Sequence, residues 1–298
     1  MAETTESVRE VSRVTTAHRQ SEGGGFIVRR PFPVAEIDSV DPFLLLDEMG
    51  PVDYAPGEAV GAPDHPHRGF ETVTYVLEGE MEHEDSAGHR GKLGPGDVQW
   101  MTAGAGIIHS EMPSERIRKE GGRVHGFQIW VNLPKDEKMA RPRYQEYGSG
   151  ELPVAKSADG KATVRVIAGE ALGARAVIET RTPIVLQDWT VQPGADVRIA
   201  VPAGLQAFVY VFEGSARVAS REIDEGQMAV LGPGTSVRLS GANGPGRLLL
   251  LAGAPLREPV ARYGPFVMNT RSELVQAFDD FQTGKMGEIT RTAEVRDH

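Results

Sequence analysis

Tyr75-Val76-Leu77-Glu78-Gly79 returns in the second half of the chain as Tyr210-Val211-Phe212-Glu213-Gly214. Each copy is followed by a glycine and an apolar run, Gly96-Asp97-Val98-Gln99-Trp100-Met101 in the first half and Gly226-Gln227-Met228-Ala229-Val230-Leu231 in the second. An aromatic and β-branched run that ends in Glu-Gly or Gly reads as a strand entering a turn. Its recurrence with the same follower reads as two copies of one β-fold.

Working outward, further short β-prone runs broken by Gly and Pro lie at 26–28, 71–77, 107–110 and 126–133, and again at 163–167, 185–191, 207–212 and 247–251. The 35 glycines and 20 prolines among 298 residues suit a turn-rich all-β chain better than a helical one. Residues 1–25 are polar and end in Ser21-Glu22-Gly23-Gly24-Gly25, which predicts a flexible N-terminal arm or a first strand with a flexible lead-in. A first β-domain is expected over 26–134, a connector rich in charge, Pro and Gly over 135–160, a second β-domain over 161–285 and a tail over 286–298. One helix is predicted near the end, because Thr270-Arg271-Ser272-Glu273 has capping-box spacing and Leu274, Ala277, Phe278 and Phe281 share a helical face.

The formal charge of −10, without any Lys/Arg cluster, argues against direct binding to a nucleic-acid backbone. The absence of cysteine removes disulfides, thiolate ligands and a cysteine nucleophile. With no apolar signal core and no membrane-length run, a cytoplasmic protein is the expectation, and it is taken to be a monomer.

Five of the eight histidines, at 65, 67, 83, 89 and 109, crowd into one short region. Residues two apart on a strand point to one face, so His65 and His67 form one ligand-like pair and His109 and Glu111 another. Three imidazoles and a carboxylate suit a first-row divalent ion such as iron, with zinc allowed by ligand type. Pro66 cannot donate to a ladder, which places that stretch at a strand start or sheet rim. If parity holds through Arg68-Gly69, Glu71, Val73, Tyr75 and Leu77 share the ligand face while Thr72 and Thr74 point away. A bulge there would break the pattern. Glu71 is then either a further ligand or a partner for a ligand imidazole, and His125 a neighbour of the site. His83 and His89, in Glu82-His83-Glu84-Asp85-Ser86-Ala87-Gly88-His89, read as part of a solvated hairpin loop. Thr102-Ala103-Gly104-Ala105-Gly106 reads as a tight turn. Phe70, Trp100, Met101 and Ile107 are candidates for an apolar wall. The repeat spacing carries His65, His67, His109 and Glu111 onto Ala200, Pro202, Leu239 and Gly241, none of which ligates a metal. The site is therefore expected in the first half alone.

The segments His65-Pro66-His67-Arg68-Gly69-Phe70-Glu71-Thr72-Val73, Gln99-Trp100-Met101-Thr102-Ala103-Gly104, Ile108-His109-Ser110-Glu111-Met112-Pro113 and Gln128-Ile129-Trp130-Val131-Asn132-Leu133 resemble the pirin family of cupins. Pro255-Leu256-Arg257-Glu258-Pro259-Val260 and Gly264-Pro265-Phe266-Val267-Met268-Asn269-Thr270 resemble its C-terminal half. The resemblance implies a bicupin of two antiparallel β-barrel (jelly-roll) domains with a short C-terminal helix. It implies a metal held by His65, His67, His109 and Glu111, Fe(II) being favoured and Mn, Ni, Cu and Zn allowed. It also implies one of two roles. The first is quercetin (flavonol) 2,3-dioxygenase chemistry on an aromatic substrate with O₂, Glu111 taking the substrate's hydroxyl proton. The second is that of a metal- or redox-responsive regulator acting through a protein partner.

Overall fold

The computed structural model describes residues 7–292, so the ends of the expected arm and tail lie outside the described residues. In chain order the strands begin with β1 (Val11–Thr16), β2 (His18–Glu22), β3 (Phe26–Phe32), β4 (Phe43–Tyr54), β5 (Ala62–His67) and β6 (Phe70–Glu78). They continue through β7 (Met81–Asp85), β8 (Arg90–Leu93), β9 (Val98–Thr102), β10 (Ile107–Pro113), helix α1 (Glu115–Glu120), β11 (Gly122–Asn132) and β12 (Arg143–Tyr147). Next come β13 (Val154–Lys156), β14 (Ala162–Ala168), the hairpin β15 (Glu170–Ala171) and β16 (Ala174–Arg175), β17 (Ile184–Val191), β18 (Asp196–Ala200) and β19 (Gln206–Val218). The chain ends with β20 (Arg221–Asp224), β21 (Gln227–Leu231), β22 (Ser236–Gly253), β23 (Ala261–Tyr263), β24 (Phe266–Met268) and helix α2 (Arg271–Gln282).

Two compact units result. Within the described residues, one comprises 19–30, 43–149 and 256–292 and contains the histidine cluster; the other comprises 7–18, 31–42 and 150–255. The histidine unit has a seven-stranded sheet in the order β12-β9-β6-β11-β4-β3-β2 and a four-stranded sheet β5-β10-β7-β8. The other unit runs β1-β21-β19-β22-β17-β14-β13, with β18 on β22 and β20 on β19. The two seven-strand paths correspond element for element, so the repeat seen around Tyr75 and Tyr210 is a repeat of topology. Each unit is a jelly roll of open antiparallel sheets, the expected bicupin architecture.

The expected boundaries need correction in three places. Within residues 1–25, β1 is the edge strand beside β21, with Val11 and Val14 packed on an apolar core, and β2 edges the other sheet. The expected connector likewise supplies β12 to the histidine unit and β13 to its counterpart. Edge strands bury one face at most, so their polar composition imitates a linker. Helix α2 forms with its capping box, Thr270 with Glu273, but belongs to the histidine unit. There Leu274 and Ala277 are buried and pack with Phe266, Met268 and Met286. No described helix is long and apolar enough to cross a membrane.

Candidate metal centre

Strand β5 is the edge of its sheet and pairs only with β10, which is why Pro66, lacking an N–H, is tolerated between His65 and His67. The register sets His109 opposite His65 and Ile107 opposite His67. Three imidazoles meet as a result: ring centroids lie 4.4 Å apart for His65 and His109, 4.7 Å for His65 and His67, and 5.0 Å for His67 and His109. One ring nitrogen from each falls within 4.8 Å of the others.

Outer hydrogen bonds set which nitrogen is available. His65 Nδ1 lies 2.7 Å from Pro63 O and His67 Nδ1 3.2 Å from Pro265 O. A carbonyl oxygen only accepts, so both Nδ1 atoms carry the proton and both Nε2 atoms present lone pairs. Those two Nε2 atoms face each other at 3.1 Å. Bare lone pairs at that distance repel unless a cation lies between them. His109 is fully buried and neither of its ring nitrogens has a hydrogen-bond partner. Burial, followed by the neighbouring His65 and His67, pushes the His109 pKa well below the ordinary imidazole value. Burial followed by His65 does the same to His67. Neutral imidazoles are the form that ligates a metal, and orphaned buried nitrogens are what an ion would satisfy. The donor set fits a first-row divalent metal.

Glu111 stands 3.9 Å from His109 Nε2, beyond a register shift that separates it from His109 along β10. Thr74 Oγ1 is 2.8 Å from Glu111 Oε1 and equally 2.8 Å from Gln128 Oε1, with a single proton to give. Gln128 Nε2 lies 3.4 Å from Glu111 Oε2. Thr74 thus faces the site, contrary to the parity expectation. The strand breaks at Arg68-Gly69, where Gly69 takes φ of 88° and any Cβ would strike Val267 O. One extra step there inverts every side chain of β6 relative to β5. Glu71 accepts from Thr102 Oγ1 at 2.6 Å. His125 bonds to Glu48 Oε1 at 2.9 Å, in a network with Arg29.

The cluster opens onto a cavity of about 570 Å³ whose wall includes His65, His67, Glu111 and Gln128. Its apolar wall comes from Ile27, Leu45, Met49, Val52 and Trp130, not from the expected Phe70, Trp100, Met101 and Ile107. Of that set, Phe70 packs beside the site, 5.0 Å from the His67 ring, while Met101 and Ile107 sit in a separate cluster with Ala103. Arg262 stacks over Trp130 at 4.7 Å and donates to Leu44 O. Thr74 and Arg262 lie in no quoted motif, and Gln128 and Trp130 lie in one without being singled out for the site; cross-strand pairing of β6 with β11 and the return of the C-terminal segment bring all four in.

His83 and His89 are not solvated. His83 is buried, and both imidazoles converge on Glu146 of β12.

The family model for pirin matches residues 25–131, and that for the pirin C-terminal cupin domain matches residues 186–287. Pirin from Homo sapiens is 46% identical over 288 residues, covering 94% of this chain and 95% of its own length. A pirin-like protein from Solanum lycopersicum is 44% identical over 283 residues, covering 94% and 93%. The crystal structure of a quercetin 2,3-dioxygenase from Acinetobacter baumannii superposes with a TM-score of 0.89 at 37% identity, covering 95% of this chain and all of that one.

Proposed function

Since the chain belongs to the pirin family of cupins, we propose that it is a metal-dependent flavonol 2,3-dioxygenase acting on quercetin-like substrates, with His65, His67, His109 and Glu111 as its metal ligands. The observation that carries this reading is three convergent imidazoles, two of them with Glu111 on the wall of a largely apolar cavity of about 570 Å³. Cavities of a few hundred to about 1,000 Å³ hold single organic molecules of flavonol size. Likeness to the quercetin 2,3-dioxygenase of Acinetobacter baumannii supports the substrate class.

A first-row ion at this position supplies Lewis acidity and redox chemistry toward O₂. The protein supplies the rest. Glu111 is the base for the flavonol 3-hydroxyl proton, and Thr74 with Gln128 fixes which oxygen turns toward the cavity. Trp130, with Arg262 stacked behind it, offers a flat face to the substrate rings. The apolar lining from Ile27 to Val52 displaces water from the reacting face.

The test is oxygen uptake and CO release from quercetin by iron-loaded protein. Stoichiometric consumption of O₂ with CO evolution is expected. Iron-loaded protein that leaves quercetin intact would sink the enzymatic reading while leaving the metal centre standing.

A further inference from the structure

We propose a second metal site in the same unit, formed by His83 on β7, His89 beside β8 and Glu146 on β12, which takes a first-row divalent cation of the zinc type. Its three donor atoms lie within 4.8 Å of one another. His83 Nε2 is 2.7 Å and His89 Nε2 2.9 Å from the same oxygen, Glu146 Oε1. The imidazole planes of the pair are 5.1 Å apart at their centroids, and Tyr144 stacks against both.

A plain hydrogen-bonded triad does not satisfy His83. The ring is 3% exposed, and neither Nδ1 nor Nε2 makes a hydrogen bond, the 2.7 Å approach to Glu146 falling outside donor geometry. With the proton on Nε2, its N–H misses the carboxylate oxygen. With the proton on Nδ1, that N–H is buried without an acceptor and the Nε2 lone pair confronts a carboxylate oxygen. Either tautomer leaves a buried polar atom uncompensated, a cost of about 1–3 kcal/mol. A cation shared by the two Nε2 atoms and the carboxylate removes the conflict.

Gly91 is the second mark of a built site. A Cβ there would come within 2.4 Å of His83 Nε2 and 3.3 Å of Glu146 Oε2, so the absence of a side chain is what keeps the donor atoms accessible. The Gly91 backbone is not in the left-handed region, so conformational freedom does not account for glycine. Tetrahedral zinc with bonds of about 2.0–2.2 Å needs donors roughly 3.3 Å apart, so the two nitrogens and Oε1 would open by about half an ångström. Gln99 Nε2, 2.5 Å from Glu146 Oε1, orients the carboxylate. His89, the most exposed of the three ligands, gives the ion a route in.

The experiment uses full-length protein stripped by chelator, reloaded with Zn(II), freed of excess metal and assayed for zinc per chain. Wild type is expected to hold about two equivalents, and His83→Ala, Glu146→Gln and Gly91→Ala about one each, with unchanged circular dichroism. His109→Ala is also expected to hold about one, lost from the other site. Glu146→Gln preserves side-chain volume, so it remains informative if His83→Ala fails to fold. Two equivalents retained in both Glu146→Gln and Gly91→Ala overturn the proposal, as does a single equivalent in wild type that His109→Ala removes. A single equivalent lost in Glu146→Gln but kept in His109→Ala upholds this site and instead refutes the His65, His67 and His109 centre.

Discussion

The two jelly rolls use one strand order for opposite interiors. Thr74 in the histidine unit pairs with Gln99 and Gln128, and the matching position in the other unit, Val209, pairs with Ala229 and Leu250. Strand β10 faces β5 with His109 opposite His65 and Ile107 opposite His67. In the second unit Leu239 stands opposite Val197 and Val237 opposite Ile199. Sheet register therefore equates His65 and His67 with Val197 and Ile199, correcting the sequence offset that pointed to Ala200 and Pro202. The same holds around Glu146: His83, Gly91 and Glu146 correspond to Ala216, Ile223 and Val14. In the second unit these positions belong to, or pack on, one apolar core, where each buried Val or Leu contributes about 1.5–3 kcal/mol. The histidine unit forgoes that burial to keep a cavity and two clusters of imidazole and carboxylate side chains that could hold a metal. The comparison teaches that the fold is indifferent to what fills its interior, and that site chemistry is confined to the unit whose inward rows are polar.

The largest expected effect is on the ligands. His65→Ala should lose metal and turnover together, with activity falling by well over a hundredfold. Metal analysis alongside quercetin turnover checks this, and unaltered metal content would remove His65 from the ligand set. The converse substitution probes the other interior. Leu239→Asn places an amide among Val197, Ile199 and Val237 with no partner, and should cost about 3–5 kcal/mol in chemical denaturation. A cost below about 1 kcal/mol would mean that this interior is not the close-packed core described.

A subtler exchange copies one unit's residue into the other. Thr74→Val installs the side chain that Val209 already carries at the equivalent position. It removes the donor to Glu111 and Gln128, so turnover should fall about 10- to 100-fold while the melting temperature barely changes. Full activity in Thr74→Val would show that Glu111 does not depend on this hydroxyl for its orientation.

How much of this was readable in sequence follows from the same comparison. His65, His67, His109 and Glu111 stand two apart in strands, and the repeat around Tyr75 and Tyr210 announced the duplicated topology. Thr74, by contrast, was assigned to the wrong face because Gly69 interrupts parity, and no periodicity survives a one-residue break. Gln128, Trp130 and Arg262 reach the cavity through cross-strand pairing and a C-terminal return that no local pattern encodes. His83 and His89 read as hairpin solvent residues because their partner, Glu146, lies in a polar edge strand that composition presents as a connector. Strand β1 lies in an equally polar stretch, where composition does not separate an arm from a first strand.

Acidification should separate the two interiors by a smaller but definite margin. His67 and His109 are held by burial well below the ordinary imidazole value of about 6.5. The unfolded chain therefore binds more protons than the folded one below that pH, and stability fully present above it declines as pH falls through the window. Each such imidazole contributes up to about 1.4 kcal/mol per pH unit. Residues such as Leu239, Val197 and Ile199, which occupy the corresponding positions, have no proton to exchange. His109→Leu converts one position to its counterpart's chemistry, so in chelator-stripped protein its denaturation free energy should fall about 1 kcal/mol less than that of wild type between pH 6.5 and 5.5. Identical slopes would mean that His109 titrates alike in folded and unfolded chains, and that its burial is not what keeps it neutral and ready for a metal.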